Sequence, residues 1–383
     1  MAMFAYTAPC HFGLEAVLKR EIQELGYEIT SVDDGRVSFA GDASACARAN
    51  IRLATAERVL LKAGEFTATT YDELFEGTKA IPWEEYLPED AKFWVAKASS
   101  VRSALFSLSD IQSVMKKAMV ERMKLRYRKN WFPESGPSYP VRVSIKKDVV
   151  TVSLDTTGMS LHKRGYRVDS VIAPISETLA AAILGLTPWK PDRILVDPFC
   201  GSGTIPIEAA MRARRIAPGM KRSFLAETWS SLIPGSAFFE AREEAREAVL
   251  PDAGLCADIQ GYDIDPHAVR AARKNAEAAG VGGIIHFQTR DVKELRHPKK
   301  YGFIVTNPPY GERLEDKEEA ARLCRTLGEA YRGLDSWSMY LITSFEDAEK
   351  AIGKKADKNR KIYNGMLRTY LYQYMGPKPP RKG

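Results

Sequence analysis

The chain has 383 residues, of which 45% are hydrophobic and 27% are charged. These proportions exclude a disordered or collagen-like chain, and the length predicts two or three domains. Because no apolar stretch is long enough to span a membrane and the N-terminus lacks the pattern of a signal peptide, we expect a cytoplasmic protein with no membrane partner. The five cysteines and five histidines are scattered along the chain, so we expect neither a disulfide framework nor a metal site.

The excess of basic residues is concentrated in one segment. The net charge is +7, but residues 97–147 alone hold twelve Lys and Arg against three acids, so the rest of the chain carries −2. The segment also contains Tyr127, Trp131, Phe132 and Tyr139. Cations interleaved with aromatic rings favour contact with the phosphates and bases of a nucleic acid, whereas a solvated helix face is the simpler alternative. The candidate binding residues are Lys116, Lys117, Arg122, Lys124, Arg126 and Arg128.

Helical and strand patterns mix in the first 160 residues. Apolar periodicity and alternation predict helices over 14–25, 43–53 and 110–127, and strands over 37–39, 93–95, 141–145 and 149–154. Ser109 and Gln112 resemble a capping box at the start of the third helix. Together these elements predict two small α+β units, at about 1–65 and 66–160.

After residue 170 strand and helix patterns alternate, which predicts a parallel sheet with helices on both faces. The predicted strands cover 194–199, 259–264, 284–289, 303–309 and 339–343, and the predicted helices cover 177–185, 204–215, 266–279 and 317–333. Two further strands flank Asn364-Gly365, the strongest short hairpin signal. An antiparallel hairpin that closes a parallel sheet is typical of class I methyltransferases. Residues 218–257 are too long for a simple loop, and we interpret them as an insertion with a helix at about 236–249.

The first candidate site is the octapeptide DPFCGSGT, residues 197–204, which follows a buried strand and opens a helix. Gly201 and Gly203 permit a tight turn and close approach of a ligand to the backbone, and Asp197 can accept hydrogen bonds from an amine or hydroxyls. The segment is neither a P-loop nor a dinucleotide fingerprint, because Pro206 stands where the third glycine belongs. It resembles motif I of S-adenosylmethionine-dependent methyltransferases, which implies cofactor contacts by Phe199 and Thr204 as well.

Acidic residues end the next two predicted strands. Asp263, followed by Ile264, is placed to accept hydrogen bonds from the two ribose hydroxyls of an adenosine. Asp265 precedes Pro266 and is expected to cap the following helix. Asp291 comes after the third strand, where it can accept a hydrogen bond from an adenine amino group. We therefore expect Asp263, Ile264 and Asp291 to bind the cofactor.

The reaction type is indicated by Asn307-Pro308-Pro309-Tyr310, which follows the fourth strand. The two prolines prevent a helix and hold the chain in an extended turn. We expect the Asn307 amide oxygen and the Pro308 carbonyl to converge on a planar NH2 group, which has two hydrogens to donate, while Tyr310 stacks on the ring. The NPPY sequence matches motif IV of amino-methyltransferases. Cys200 and Cys324 are expected to pack in the core rather than to act as nucleophiles.

Four segments extend the resemblance over essentially the whole chain: LHKRGYR at 161–167, the 173–184 helix segment, NPPYGERL at 307–314 and YNGMLRTYLY at 363–372. They resemble the THUMP-domain ribosomal RNA methyltransferases, the RlmL-type 23S rRNA guanine-N2 enzymes and their shorter relatives. The resemblance implies a ferredoxin-like domain at 1–65, a THUMP domain at 66–160 and a seven-stranded class I methyltransferase domain at 161–383. It also implies that Glu177 helps to close over the cofactor.

The sequence therefore predicts an enzyme that transfers a methyl group from S-adenosyl-L-methionine to the exocyclic N2 of a guanine in RNA, with ribosomal RNA as the expected partner. The alternatives are guanine-N2 methylation of tRNA and a non-catalytic RNA-binding assembly factor. Adenine-N6 methylation of DNA and glutamine methylation of a protein fit the basic segment and the THUMP resemblance less well. The oligomeric state is left open.

Overall fold

A computed structural model describes residues 3–171, 174–252, 255–309, 314–364 and 367–380 of the chain. Two seven-stranded sheets form its framework, one in the N-terminal part and one in the C-terminal part. No helix within these ranges is both long enough and apolar enough to cross a membrane.

The N-terminal sheet is built from the first seven strands, which lie in the order β2-β3-β1-β4-β7-β6-β5. Its elements are β1 (Phe4–Pro9), α1 (Glu15–Glu24), β2 (Glu28–Asp33), β3 (Arg36–Gly41), α2 (Ala43–Arg52), β4 (Leu60–Thr67), α3 (Tyr71–Ala80), β5 (Lys92–Val101), α4 (Leu108–Tyr127), β6 (Ser138–Lys146) and β7 (Val149–Asp155). β4 pairs with β1 on one side and with β7 on the other. The two predicted α+β units therefore share one continuous sheet.

The predicted capping box at the start of α4 is wrong, although the helix itself is confirmed. The N-cap residue is Ser107, and its side chain does not bond to the backbone of the first turn. The Gln112 side chain instead donates to the Val95 carbonyl, at 2.9 Å, because this face of the helix packs on β5.

The C-terminal sheet has the order β10-β9-β8-β11-β12-β14-β13. Its elements are α5 (Glu177–Leu186), β8 (Leu195–Asp197), α6 (Thr204–Ala213), α7 (Gly235–Glu247), β9 (Ile259–Asp263), α8 (Pro266–Ala279), β10 (Ile285–Thr289), β11 (Phe303–Thr306), α9 (Leu314–Arg332), β12 (Ser338–Thr343), α10 (Ala348–Ile352), β13 (Lys358–Asn364) and β14 (Leu367–Tyr374). The first five strands in this order, β10, β9, β8, β11 and β12, are parallel to one another. The strand β14 is antiparallel to both of its neighbours, β12 and β13. This is the predicted class I methyltransferase sheet, with the carboxyl ends of β8 to β11 along one edge.

The predicted insertion forms a bridge between the two parts of the chain. Its helix, α7, packs against α2 of the N-terminal part, where Glu244 accepts from Arg48 and Arg52 at 2.8 Å. The Trp229 ring stacks on Tyr139 with 4.6 Å between centroids. The insertion therefore completes the core of the N-terminal sheet, although its chain neighbours belong to the C-terminal sheet.

Candidate active site

A cavity of about 1430 Å³ lies at the carboxyl ends of β8 to β11. Because these strands are parallel, the residues that follow each of them meet at one edge of the sheet. The structure brings nine of the predicted site residues to the cavity wall: Asp197, Phe199, Gly201, Thr204, Asp263, Ile264, Asp291, Asn307 and Pro308.

Two glycines shape the loop beneath this cavity, but for different reasons. Gly201 has a φ of +52° and its amide donates to Asp263 Oδ2 at 2.9 Å. Gly203 has a φ of +86° and does not line the cavity. A Cβ at Gly203 would lie 2.9 Å from the Ala272 Cβ, so this glycine allows α8 to pack against the loop. Of these two glycines, only Gly201 lines the cavity.

Asp197 lies at the floor of the cavity and is almost completely buried. Its Oδ1 accepts from the Thr306 hydroxyl at 2.6 Å and from the Phe199 amide at 3.1 Å. Burial raises the pKa of Asp197 to about 7, and the two hydrogen bonds only partly oppose that effect. A bound group that carries positive charge would favour the ionised carboxylate.

Asp263 is held by the backbone rather than by a cation. Its two oxygens accept from the amides of Gly201 and Asp265, at 2.9 and 3.0 Å, and it forms no ion pair within the described ranges. Asp265 caps α8 by accepting from the His267 amide at 2.8 Å, which confirms its predicted role. The fixed, uncompensated carboxylate of Asp263 could accept hydrogen bonds from ribose hydroxyls, and this predicted contact stays a prediction.

Asp291 also lines the cavity, at the start of a short 3-10 helix over Val292–Glu294. Its carboxylate accepts from the Lys293 amide at 3.0 Å and lies 3.1 Å from Lys293 Nζ. The backbone hydrogen bond and the lysine lower the pKa of Asp291, so it stays ionised. Its predicted contact with an adenine amino group stays a prediction.

Glu177 is not brought to the cavity. It is buried at the start of α5 and pairs with Arg167 Nε at 2.9 Å. Arg167 also donates to Ser202 Oγ at 3.2 Å and to Thr204 Oγ1 at 3.1 Å. Through Arg167, Glu177 supports the glycine loop from outside the cavity wall, and its predicted role in closing over a cofactor stays a prediction. Arg167 was not predicted as a site residue. The one sequence signal that could have indicated it is its position in the LHKRGYR segment.

Asn307 and Pro308 follow β11 and lie in the cavity wall beside Asp197. The Asn307 Oδ1 atom is buried and accepts no hydrogen bond from any part of the chain that the structure describes. A buried acceptor without a donor is costly, so a ligand donor is the expected partner. Tyr310, the predicted stacking residue, lies outside the described residues.

The two cysteines that were predicted to pack in the core are both buried. Cys200 lines the cavity, but burial raises the pKa of its thiol well above the usual value. Burial likewise raises the pKa of the Cys324 thiol to about 11. Both groups stay protonated near neutral pH and are poor nucleophiles.

In the folded chain, ion pairs with carboxylates neutralise part of the positive charge of the basic segment. Lys116, Arg122 and Lys124 form ion pairs with Glu134, Glu84 and Glu121, at 2.9, 2.6 and 2.9 Å. Arg126 reaches only 4.0 Å from Glu84 and is two-thirds exposed. Lys117 and Arg128 are exposed and form no ion pair within the described ranges. The unneutralised charge of the predicted surface therefore belongs to Lys117, Arg126 and Arg128.

The polar groups in the cavity fit a nucleoside cofactor better than a metal. Within the described ranges no three His, Cys, Asp or Glu side chains are grouped to hold a metal ion. The cavity instead combines a glycine turn, a carboxylate fixed by backbone amides and a buried amide oxygen. Such groups can hold an adenosine and an amino acid moiety.

The family comparisons agree with this geometry. The family of RMKL-like methyltransferase domains matches residues 164–373. The chain belongs to the RMKL-like methyltransferases. Two further families match the N-terminal part: the RlmL ferredoxin-like domain at residues 5–60 and the THUMP domain at residues 68–155. As a class I enzyme of this family, the RMKL-like methyltransferase uses S-adenosyl-L-methionine as its methyl donor.

Three relatives illustrate the similarity. The putative RNA methyltransferase YpsC of Bacillus subtilis (strain 168) is 46% identical, over 100% of this chain and 98% of that protein. The ribosomal RNA large subunit methyltransferase K/L of Syntrophotalea carbinolica is 36% identical over 97% of this chain, which spans only 53% of that protein. The crystal structure of SMU.472, a putative methyltransferase complexed with SAH, is 40% identical with a TM-score of 0.92, covering 99% of this chain and 100% of that one.

We expect Asp263→Ala to weaken the binding of S-adenosylmethionine by roughly ten- to hundredfold, because ribose hydroxyls would lose charged acceptors that contribute about 1.5–3 kcal/mol. Isothermal titration calorimetry measures the effect. Asp258→Ala is the matched control, since Asp258 pairs with Lys299 and does not line the cavity, so its loss should leave the affinity unchanged. An unchanged affinity in Asp263→Ala would remove this residue from the cofactor site.

We expect the affinity for S-adenosylmethionine to rise with pH and to level off above about 7. Asp197 has a pKa of about 7, and a cationic ligand binds more tightly to its ionised form. Titrations from about one pH unit below that pKa to about one unit above it would show the rise. Asp197→Asn should flatten this dependence; a variant profile identical to that of the wild type would assign the titration to another group.

Proposed function

We propose that the protein methylates the exocyclic N2 of a guanine in RNA, with large-subunit ribosomal RNA as its substrate. The observation that carries this proposal is the buried acceptor of Asn307 in the wall of the cavity that also holds Asp197 and Asp263. An exocyclic amine offers two hydrogens, so it could donate to the Asn307 amide oxygen and to the carbonyl of Pro308, a residue that also lines the cavity.

The cofactor supplies a methyl group bound to a positively charged sulfur. The residues of this chain then need to hold the amine in line with that methyl group and to exclude water, and the nitrogen releases one proton after the transfer. Hydrogen bonds from the amine to Asn307 and Pro308 favour a geometry that frees the nitrogen lone pair from the ring. The target guanine reaches the cavity as an unpaired or flipped-out base.

The THUMP and RMKL-like matches support RNA as the substrate class. The name of the K/L relative supports ribosomal RNA of the large subunit. The exposed cations of the basic segment, Lys117, Arg126 and Arg128, are suited to the phosphates of that RNA.

Mass mapping of RNA from cells that lack the protein tests the proposal. We expect one guanine in a 23S rRNA fragment to lose a methyl group, while all tRNA fragments stay unchanged. Loss of a methyl group from tRNA would support the alternative tRNA substrate. No lost methyl group in any RNA, together with no binding of S-adenosylmethionine to the purified protein, would support a non-catalytic assembly factor.

We expect the triple substitution of Lys117, Arg126 and Arg128 by Gln to weaken RNA binding without a change in cofactor affinity. The slope of log affinity against log salt should fall by about 0.7–0.9 for each lost phosphate contact. The matched control replaces Lys116, Arg122 and Lys124, whose charges are already compensated by carboxylates. Equal slopes for both triple variants and the wild type would mean that α4 presents a merely solvated face.

A further inference from the structure

A second cavity, of about 530 Å³, lies at the opposite end of the C-terminal sheet. Phe303 and Ser338, the first residues of β11 and β12, contribute to its wall, so it is remote from the edge where the carboxyl ends of the strands form the first cavity. Its five basic wall residues are Arg20, Arg193, Lys358, Arg360 and Lys378.

None of these five cations forms an ion pair with a carboxylate within the described ranges. The three arginines donate to backbone carbonyls instead: Arg20 to Gly185 at 2.6 Å, Arg360 to Gly13 at 2.7 Å, and Arg193 to Tyr301 at 2.6 Å. The carbonyls fix the guanidinium groups in place without neutralising them. Since each guanidinium has five N–H donors, several remain for an anion.

Two acids adjoin these cations in the chain, Asp192 beside Arg193 and Asp357 beside Lys358, and neither forms an ion pair with them within the described ranges. Asp357 precedes Lys358, and its Oδ2 accepts from the Met375 amide at 2.6 Å. The surrounding segment, residues 354–361, holds five Lys and Arg against this one acid. This second basic segment was not predicted, because the whole charge excess of the sequence was attributed to residues 97–147.

β13 connects the second cavity to the mouth of the first. It is the outermost strand of its sheet and spans seven residues, about 20 Å at about 3.3 Å per residue. Lys358 and Arg360 line the second cavity, whereas Asn364, at the other end of the strand, pairs with Leu367, which lines the first. Exposed Lys361 lies between the two ends, on the opposite face of the strand from Lys358 and Arg360.

Aromatic side chains stand near the end of this strand, beside the first cavity. Lys361 Nζ lies over the Tyr363 ring, 5.0 Å from its centroid. The same ring makes an edge contact with Phe12, with 5.8 Å between the two centroids. Phe12 comes from the N-terminal part and is 43% exposed. The close approach depends on Gly13, whose φ is +89° and where a Cβ would lie 2.8 Å from the Lys361 carbonyl oxygen.

We propose that this surface, from Phe12 and Tyr363 along β13 to the second cavity, binds the single-stranded RNA that adjoins the target nucleotide. The inference rests on the proposed function, since it takes RNA as the substrate. Phe12 offers a face for stacking the base next to the target, Lys361 contacts the backbone, and the cations of the second cavity bind a phosphate further along the strand.

The test uses the full chain with S-adenosylhomocysteine and a short, unstructured, fluorescently labelled RNA with one central guanosine. Fluorescence anisotropy measures the affinity at several salt concentrations. For the triple substitution of Lys358, Lys361 and Lys378 by Gln, we expect binding to weaken on the order of tenfold and the salt slope to fall by up to about 2. Phe12→Ala should weaken binding about 5- to 150-fold and leave the salt slope unchanged.

Matched controls remove the same charge or the same ring elsewhere. One control is the triple substitution by Gln of three basic residues that line neither cavity: Lys62, Lys221 and Arg246. The other control, Phe239→Ala, removes an exposed ring from α7. The controls should bind RNA as the wild type does. Wild-type affinity and slope in the Lys358, Lys361 and Lys378 variant would overturn the proposal.

Two further measurements separate this proposal from its rivals. If tripolyphosphate or ATP bound at the second cavity with an affinity that the lysine substitutions abolish, while RNA binding stayed unchanged, the cavity would be a nucleotide site and the proposal would fail. Product analysis of the methylated RNA tests the proposed guanine-N2 specificity separately. A different methylated base would overturn that specificity without affecting the mapped RNA surface.

Discussion

Asn307→Ala should slow methyl transfer by about 10²–10³ at saturating RNA and cofactor, in line with the loss of one preorganised polar contact to a transition state. The substitution removes the buried Oδ1 acceptor but leaves the Thr306–Asp197 hydrogen bond and the rest of the cavity wall in place. Both binding steps should therefore stay close to those of the wild type. Single-turnover kinetics with separate cofactor and RNA titrations measure these quantities.

Asn307→Asp is the matched variant, because it keeps an acceptor oxygen at the same position. We expect it to retain more activity than Asn307→Ala. Tyr310→Ala should differ from both by raising the apparent Michaelis constant for RNA, since a lost stacking contact contributes about 1–3 kcal/mol to binding. A wild-type transfer rate in Asn307→Ala would show that Asn307 is not the amine acceptor, and the assignment to an exocyclic nitrogen would lose its main support.

Arg164→Ala should lower the free energy of unfolding by about 3–5 kcal/mol, because it leaves a buried carboxylate without its partner. Arg164 Nε lies 3.4 Å from Glu208 Oε1, and the two side chains are only 2% and 4% exposed. Its other nitrogens donate to the carbonyls of Leu161 and Ala54. One side chain thus ties the N-terminal part to α6. Urea unfolding followed by tryptophan fluorescence measures the loss.

The loss of stability caused by Arg164→Ala should depend on pH. Burial raises the pKa of Glu208, and Arg164 is the charge that opposes this rise. Without Arg164 the folded-state pKa moves further above the unfolded value, so the folded variant holds a proton that the unfolded chain releases as the pH increases. The variant should therefore lose more stability at pH 8 than at pH 5.

Arg246→Ala is the matched control, since Arg246 and its partner Glu243 are 61% and 41% exposed. It should change stability by less than about 1 kcal/mol. Replacement of both Arg164 and Glu208 by apolar residues of similar size should restore much of the loss. If Arg164→Ala lowered the free energy of unfolding as little as the control does, this result would contradict a stabilising role for the buried pair.

Features that depend on short-range pattern could be predicted from the amino-acid sequence alone. Alternating strands and helices after residue 170 predicted the parallel sheet, and the Asn364-Gly365 signal predicted the hairpin pair of β13 and β14. The order of the elements also predicted one crevice for Asp197, Asp263, Asp291 and Asn307, because the carboxyl ends of parallel strands meet at one edge. The cap at Asp265 followed from Asp-Pro at a helix start.

Which of these groups are free to act depends on contacts that only the folded chain forms. Arg122 is neutralised by Glu84, 38 positions away, and Glu177 faces Arg167 instead of the cavity. Such pairs join residues on different elements, and periodicity within one segment carries no information about them. For the same reason the sequence did not reveal that α7 joins the N-terminal core, or that Phe12 stands beside the C-terminal hairpin. Local pattern fixes the elements and their order, whereas packing decides which charges are compensated and which remain for a ligand.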